Sequence, residues 1–250
     1  MCSTIILPDS VLNKEKTMLQ SDWKDEYLWD VESVRSYCES GLPINFRNED
    51  GMTPLMLAAG SGAELEILQI LTCHGADLRS RDDEGWTPLM MASVLTPSLE
   101  NIGFLIDQGS ELEARDYQGW TIFFRTVRDN PAVTVTRLLL EYGAKINLSD
   151  REGLTPMMIA AAQNPNPEVV QLLFEEGADP YSPKRDGWTV LMLAAGYNSN
   201  PRVLDKILDM GVDVQARDQE GRRAMDFARL NRSIHSSPAF FRLQHLSELR

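Results

Sequence analysis

Residues 51–59 read Gly51-Met52-Thr53-Pro54-Leu55-Met56-Leu57-Ala58-Ala59. The stretch returns as Gly85-Trp86-Thr87-Pro88-Leu89-Met90-Met91-Ala92 and as Gly153-Leu154-Thr155-Pro156-Met157-Met158-Ile159-Ala160. Looser copies open at Gly119, Gly187 and Gly221, so successive copies start 34 residues apart. A fixed period of this size marks a stacked array, in which each unit buries its apolar face against its neighbours.

Within each copy the Thr can cap a helix, the Pro suits its first turn, and the Ala pair leaves room for a second helix to pack closely. The second helix also repeats. Its expected N-caps are Asp30, Glu64, Ser98, Ala132, Asn166 and Asn200, of which Glu64 and Ala132 are poor caps. Pro167 and Pro201 follow two of them. Gly41, Gly75, Gly109, Gly143, Gly177 and Gly211 stop the helices as C′ residues. A buried stripe is expected at Val34, Leu68, Ile102, Thr136, Val170 and Leu204. Three residues on, and so on the same helix face, stand Tyr37, Leu71, Leu105, Leu139, Leu173 and Ile207. Between units, stretches such as Ala76–Gly85 are polar with one apolar anchor and read as extended fingers that turn at the Gly.

The ends differ. Residues 1–20 are aperiodic and read as a flexible lead. A short helix is expected over 22–28 and a second over 30–38. Ser237 is the expected cap of a closing helix whose Phe240, Leu243 and Leu246 cover the exposed end of the stack.

These motifs resemble those of ankyrin-repeat proteins over roughly residues 21–250. The resemblance rests on the repeated Gly-x-Thr-Pro-Leu-x-x-Ala-Ala, on Leu139-Leu140 and Leu172-Leu173 late in the second helix, and on Gly75-Ala76-Asp77 and Gly177-Ala178-Asp179. It implies an all-α solenoid of stacked helix pairs with β-turn fingers. A single domain is expected, with an N-terminal cap at 21–50, repeats starting near 51, 85, 119, 153 and 187, and a C-terminal cap at 221–250.

The chain departs from the family pattern in three places. Its unit is one residue longer than the usual one, and the extra residue falls between the helices, at Thr96-Pro97, Asn130-Pro131, Asn164-Pro165 and Asn198-Ser199. The column where the family often has His reads Met56, Met90, Phe124, Met158, Met192 and Asp226; core filling is the expectation, with an adaptable Met-rich face as the alternative. The unit at Gly119 has Ile122 for Pro, Arg125 for an aliphatic residue and Thr126-Val127 for the Ala pair. These larger groups are expected to splay the helices or alter the twist, and Phe124, Arg125 and Arg128 are candidates for a central contact. The Met column and the Asn-Pro turns resemble bacterial more than animal members, which suggests an intracellular bacterial protein or an effector acting on a host protein.

Composition narrows the function classes. The net charge of −13 disfavours nucleic acid or an anionic membrane as the main partner, since phosphate binding needs clustered Lys and Arg. The three cysteines, Cys2, Cys38 and Cys73, lack the spacing of a disulfide framework or zinc site and fit a reducing compartment. No secretory leader is expected, since Pro8 ends the short apolar run Ile5-Ile6-Leu7, and the sequence has no run of about 18 apolar residues, no P-loop and no GxSxG elbow. His74, His235 and His245 have no ligand spacing. The expectation is a cytoplasmic, non-catalytic protein with no cofactor or metal, and a monomer.

In ankyrin arrays the finger tips and first helices line a concave groove. By that resemblance the residue after each turn Gly faces the groove: Met52, Trp86, Trp120, Leu154, Trp188 and Arg222. Trp and Arg are frequent among residues that dominate binding energy. The first-helix ends, Tyr197 among them, vary between units. An acidic column (Asp50, Glu84, Glu152, Asp186, Glu220, broken by Gln118) runs beside a basic one (Arg47, Arg81, Arg115, Arg217). Ion pairing between stacked fingers is the expected use; selection of a basic protein surface is the alternative. The function expected is binding of another protein in the groove, with an inhibitory subunit that masks an enzyme or toxin as the runner-up.

Overall fold

Thr53 Oγ1 accepts the Met56 amide at 3.4 Å, and Thr87, Thr155 and Thr189 repeat the bond on Met90, Met158 and Met192 at 3.3 Å. The Thr-Pro step is thus a helix start, with a hydroxyl satisfying one of the free first-turn amides. The computed structural model describes residues 30–249. The expected lead at 1–20 and short helix at 22–28 lie outside the described residues.

Thirteen helices are present among the described residues: α1 (Val31–Glu39), α2 (Pro54–Ser61), α3 (Leu65–Cys73), α4 (Pro88–Leu95), α5 (Leu99–Asp107), α6 (Ile122–Asp129), α7 (Val133–Glu141), α8 (Pro156–Gln163), α9 (Pro167–Glu175), α10 (Val190–Tyr197), α11 (Pro201–Asp209), α12 (Ala224–Ala228) and α13 (Pro238–Glu248). The even-numbered helices stack on one another in order, and so do the odd-numbered ones, giving two layers with fingers projecting between units. None of these helices is long and apolar enough to cross a membrane.

All twelve expected stripe positions, from Val34 to Ile207, are buried. Their packing explains why α3 and α7 form at all. Glu64 and Ala132 are the N-caps and neither makes a side-chain cap bond. A missing cap costs about 1 kcal/mol, whereas one fully buried Leu or Val contributes about 1.5–3 kcal/mol. Helix ends follow the Schellman pattern at Gly75, where the Ala76 amide bonds Leu71 O and the Gly75 amide bonds Thr72 O. Gly109, Gly143 and Gly177 repeat it.

The Met column lies in the core: Met56, Met90, Phe124, Met158 and Met192 are all buried. An adaptable Met-rich face is therefore not what this column forms. Phe124, expected as a surface contact, is 1% exposed and is corrected to a core residue. Its ring takes the place of the flexible Met side chains in the other units.

The extra residue of the 34-residue unit has a structural use. Asn164 Nδ2 donates to Val127 O and to Asn130 O, at 2.9 and 3.0 Å, while its Oδ1 accepts the Asn166 amide. Asn130, Asn198 and Asn231 repeat this, each reaching the carbonyl of the preceding unit's inter-helix turn. The result is a ladder of carboxamides along the turns, buried at Asn130, Asn164 and Asn198 and half-buried at Asn231. Every carboxamide is satisfied, as buried polar groups must be if they are not to destabilise the core. α13, capped by Ser237, packs at the end of the odd-numbered layer and buries Phe240 and Leu243, while Leu246 is half-buried.

Candidate functional site

Each finger is a three-residue hairpin. In the second, the Asp82 amide bonds Trp86 O at 3.1 Å and the Gly85 amide bonds Asp82 O at 3.1 Å. Gly85 has φ +84°, the left-handed conformation that ends such a loop. Asp82 Oδ1 accepts the Glu84 and Trp86 amides at 2.9 and 2.7 Å. Asn48, Asp116, Asp150 and Asp218 do the same for Met52, Trp120, Leu154 and Arg222. In the fifth finger Lys184 stands in that column, and Asp186 holds the Trp188 amide instead, at 3.2 Å. Burial alone would raise the Asp186 carboxyl, but Lys184 and the Trp188 amide together lower it. The turn side chains, one Asn and five Asp, thus fix the whole column from Met52 to Arg222, and all six side chains of that column are half-buried.

The basic column works differently from the expectation. Arg47 donates to Gly51 O at 2.9 Å and to Arg81 O at 2.7 Å. Arg81 donates likewise to Gly85 O and Arg115 O. These guanidiniums brace their own turn and the next finger through backbone carbonyls. Only Arg47, facing Asp83 at 3.4 Å, also meets an acid of the next finger among the described residues of this column. The fingers are further joined by main-chain bonds: the amides of Asp83, Tyr117, Arg185 and Gln219 bond the carbonyls of Asp50, Glu84, Glu152 and Asp186.

Two aromatic–cation clusters sit on this frame. In the first, the Arg125 guanidinium lies 5.3 Å from the Trp86 ring and 4.9 Å from Trp120, with Arg128 5.4 Å from Trp120. Arg125 also donates through Nε to Asp116 Oδ2 at 2.6 Å and through Nη2 to Gln118 at 2.7 Å. Arg125 is only 8% exposed. The expectation of Arg125 as a direct partner contact is corrected: it is an internal strut that holds two indoles. Arg128 remains on the surface, bonding Gln163 at 2.7 Å. Burial raises the neighbouring Asp129 carboxyl against the pull of Arg128 and Arg125.

The second cluster is at the C-terminal side. Trp188 stacks on Tyr197 at 5.8 Å and meets Phe227 at 4.3 Å. Arg222 lies 5.7 Å from Trp188 and 4.9 Å from Phe227. Tyr197 is 63% exposed, so its outer face is open to solvent. Met52 and Leu154 belong to neither cluster.

Two features were missed by reasoning from sequence: the carboxamide ladder and the Arg125–Asp116 pair. Asn130, Asn164 and Asn198, 34 residues apart, were visible for the first; nothing local marks the second, whose members are nine residues apart.

The family model for ankyrin repeats matches residues 29–116, 97–184 and 161–236. No curated protein sequence matches the chain. Among solved structures, the human ASB11 ankyrin repeat domain superposes with a TM-score of 0.73 at 20% identity, covering 86% of this chain and 92% of that one. The chain belongs to the ankyrin-repeat family, whose repeats are a generic protein–protein interaction module.

Proposed function

We propose that the chain is a non-catalytic binding protein that holds a protein partner against its finger tips and first helices. Trp86, Trp120 and Trp188 are the anchors, Tyr197, Arg128 and Arg222 flank them, and Met52 and Leu154 add apolar area. One observation carries the reading: the three Trp are already fixed, by turn bonds to their amides and by guanidiniums beside their rings. Anchors ordered before binding cost little entropy on association, and Trp and Arg dominate binding energy where they cluster.

The net charge of −13 favours a partner with a basic surface through long-range steering. The free thiols of Cys38 and Cys73 suit a reducing, cytoplasmic setting. The test is affinity capture from lysate with the wild type and with a Trp86→Ala/Trp120→Ala variant whose circular dichroism melt shows that it still folds. Loss of the captured protein supports the reading; recovery of the same partners by both ends it.

A further inference from the structure

The main-chain bonding between fingers is interrupted at one joint. By register, the Arg151 amide should bond Gln118 O, as the Tyr117 amide bonds Glu84 O and the Arg185 amide bonds Glu152 O. That bond is not made among the described residues. The arginine brace stops at the same place: Arg115 holds Gly119 O at 2.6 Å but does not reach the fourth finger, where Ser149 takes the arginine position. A Cβ placed on Gly119 would meet nothing within 4 Å, whereas on Gly85 it would lie 2.8 Å from Tyr117 N and on Gly187 3.0 Å from Asp218 Cα.

The fingers stand apart there around a cleft of about 810 Å³ bounded by residues 115–120 and 149–152. That volume falls in the range of ligand sites, about 300–1,000 Å³. Large residues of α6 underlie this joint: Phe123, Phe124 and Val127 are buried where the unit at Gly51 carries Leu55, Met56 and Ala59.

The rim has a definite chemistry. Gln118 offers a carbonyl and Arg151 an amide, the two groups that bond across every other joint between fingers. Tyr117, 69% exposed, and Trp120 supply aromatic walls. Of the carboxylates, Asp116 is committed to Arg125, and Asp150 accepts the Glu152 and Leu154 amides. The guanidiniums of Arg115 and Arg151 line the cleft, and neither has a carboxylate partner among the described residues. With Asp116 paired to Arg125, the rim sets these two guanidiniums against the carboxylates of Asp150 and Glu152, so it is locally near neutral in a chain of net charge −13.

We propose that this cleft takes one extended, acidic peptide segment of a partner protein. The segment's main chain donates to Gln118 O and accepts from the Arg151 amide, completing the interrupted ladder as an added strand does at a sheet edge. A side-chain carboxylate of the segment pairs with Arg115 and Arg151. The site stands apart from the Trp stripe: Trp120 borders both, while Trp188 belongs to the stripe alone.

The test selects binders to the full chain from a displayed library of random linear peptides. The expected peptides are enriched in Asp and Glu and slow hydrogen exchange at the Arg151 amide. Arg115→Ala weakens their binding about tenfold, the loss of one charge-assisted bond. Arg151→Ala, at an exposed position that keeps its amide, weakens it also, and Trp188→Ala leaves it unchanged. Three results overturn the proposal: selection of no peptide, selection of peptides without acidic residues, or binding that leaves Arg151 exchange unaltered. Peptides lost on Trp188→Ala with Arg151 unaltered would lie on the stripe, ending this inference while keeping the groove reading.

Discussion

Arg125 Nε and Asp116 Oδ2 are 2.6 Å apart, and the Asp116 side chain is fully enclosed. This pair ties the third finger to α6, the helix behind it, and sets the cation between Trp86 and Trp120. Breaking a buried pair from one side leaves an uncompensated charge. Arg125→Met is expected to lower unfolding free energy by about 3–5 kcal/mol in urea titration. Adding Asp116→Asn should recover much of the loss, because Asn keeps an Oδ1 for the Trp120 amide, as Asn48 does for Met52 in the first finger. A double variant no more stable than the single one would contradict the pairing account.

The carboxamide ladder predicts a gradient along the array. Asn164→Ala strands two buried carbonyls, Val127 O and Asn130 O, and should cost about 2–4 kcal/mol. Asn231→Ala, at the half-buried end of the ladder, should cost less. Equal losses in chemical denaturation would remove burial as the reason.

The turn glycines give a direct reading of the open joint. Gly85 and Gly119 have φ of +84° and +85°, so Ala meets the same backbone strain, about 1 kcal/mol, at both. Only at Gly85 does the added Cβ also press on the Tyr117 amide. Gly85→Ala should therefore lower the melting temperature clearly more than Gly119→Ala. If the two fall together, the third and fourth fingers are not parted.

Thr136 sits in a column of otherwise aliphatic residues (Val34, Leu68, Ile102, Val170, Leu204), and its buried Oγ1 has no hydrogen-bond partner among the described residues. Thr136→Val keeps the shape and removes an unsatisfied polar atom, so it should stabilise the protein by about 1 kcal/mol. A loss of stability would mean that the hydroxyl finds a partner in solution.

Acid should unfold the array through its turn carboxylates. Burial alone would raise the Asp218 carboxyl, but the Arg222 amide and guanidinium, with the Glu220 amide, hold it below its ordinary value. Asp30 and Asp179 are also lowered, chiefly by bonds from Ser33 and Ser182. A depressed folded-state value favours the ionised form. The stability it contributes is therefore complete above the unfolded value, about 3.9, and is lost as pH falls through the folded one. Asp218→Asn cannot ionise, so its urea midpoint should fall less than that of the wild type between about pH 6 and about pH 3. Parallel curves would exclude Asp218 as a contributor.

The architecture could be read from residue types recurring at fixed offsets. Thr before Pro, Gly after each second helix and aliphatics three apart are local signals, and each does locally what its chemistry implies. Glu64 and Ala132 could even be recognised as weak caps, since capping depends on one side-chain oxygen. The site was only half legible. The Trp column follows from the repeat, but the burial of Phe124 and Arg125 depends on how α6 packs between its neighbours. The basic column misled for a related reason: charge suggests acidic partners, whereas Arg47 and Arg81 find the carbonyls of the next turn. The open joint is an interruption between two fingers, and no residue of either spells it out.

That interruption also bears on how the molecule moves. The stability of a stacked array is close to a sum of couplings between neighbours. At the joint between the third and fourth fingers no main-chain bond joins the tips among the described residues, and the polar coupling lies farther back, through Asn164 to Asn130 O, Arg128 to Gln163 and the Lys145 amide to Glu113. A sheaf bound along one edge and loose along the other opens like a book, with the carboxamides as its spine. Bending will concentrate at this page, so the two halves of the array can alter their angle while each keeps its own shape.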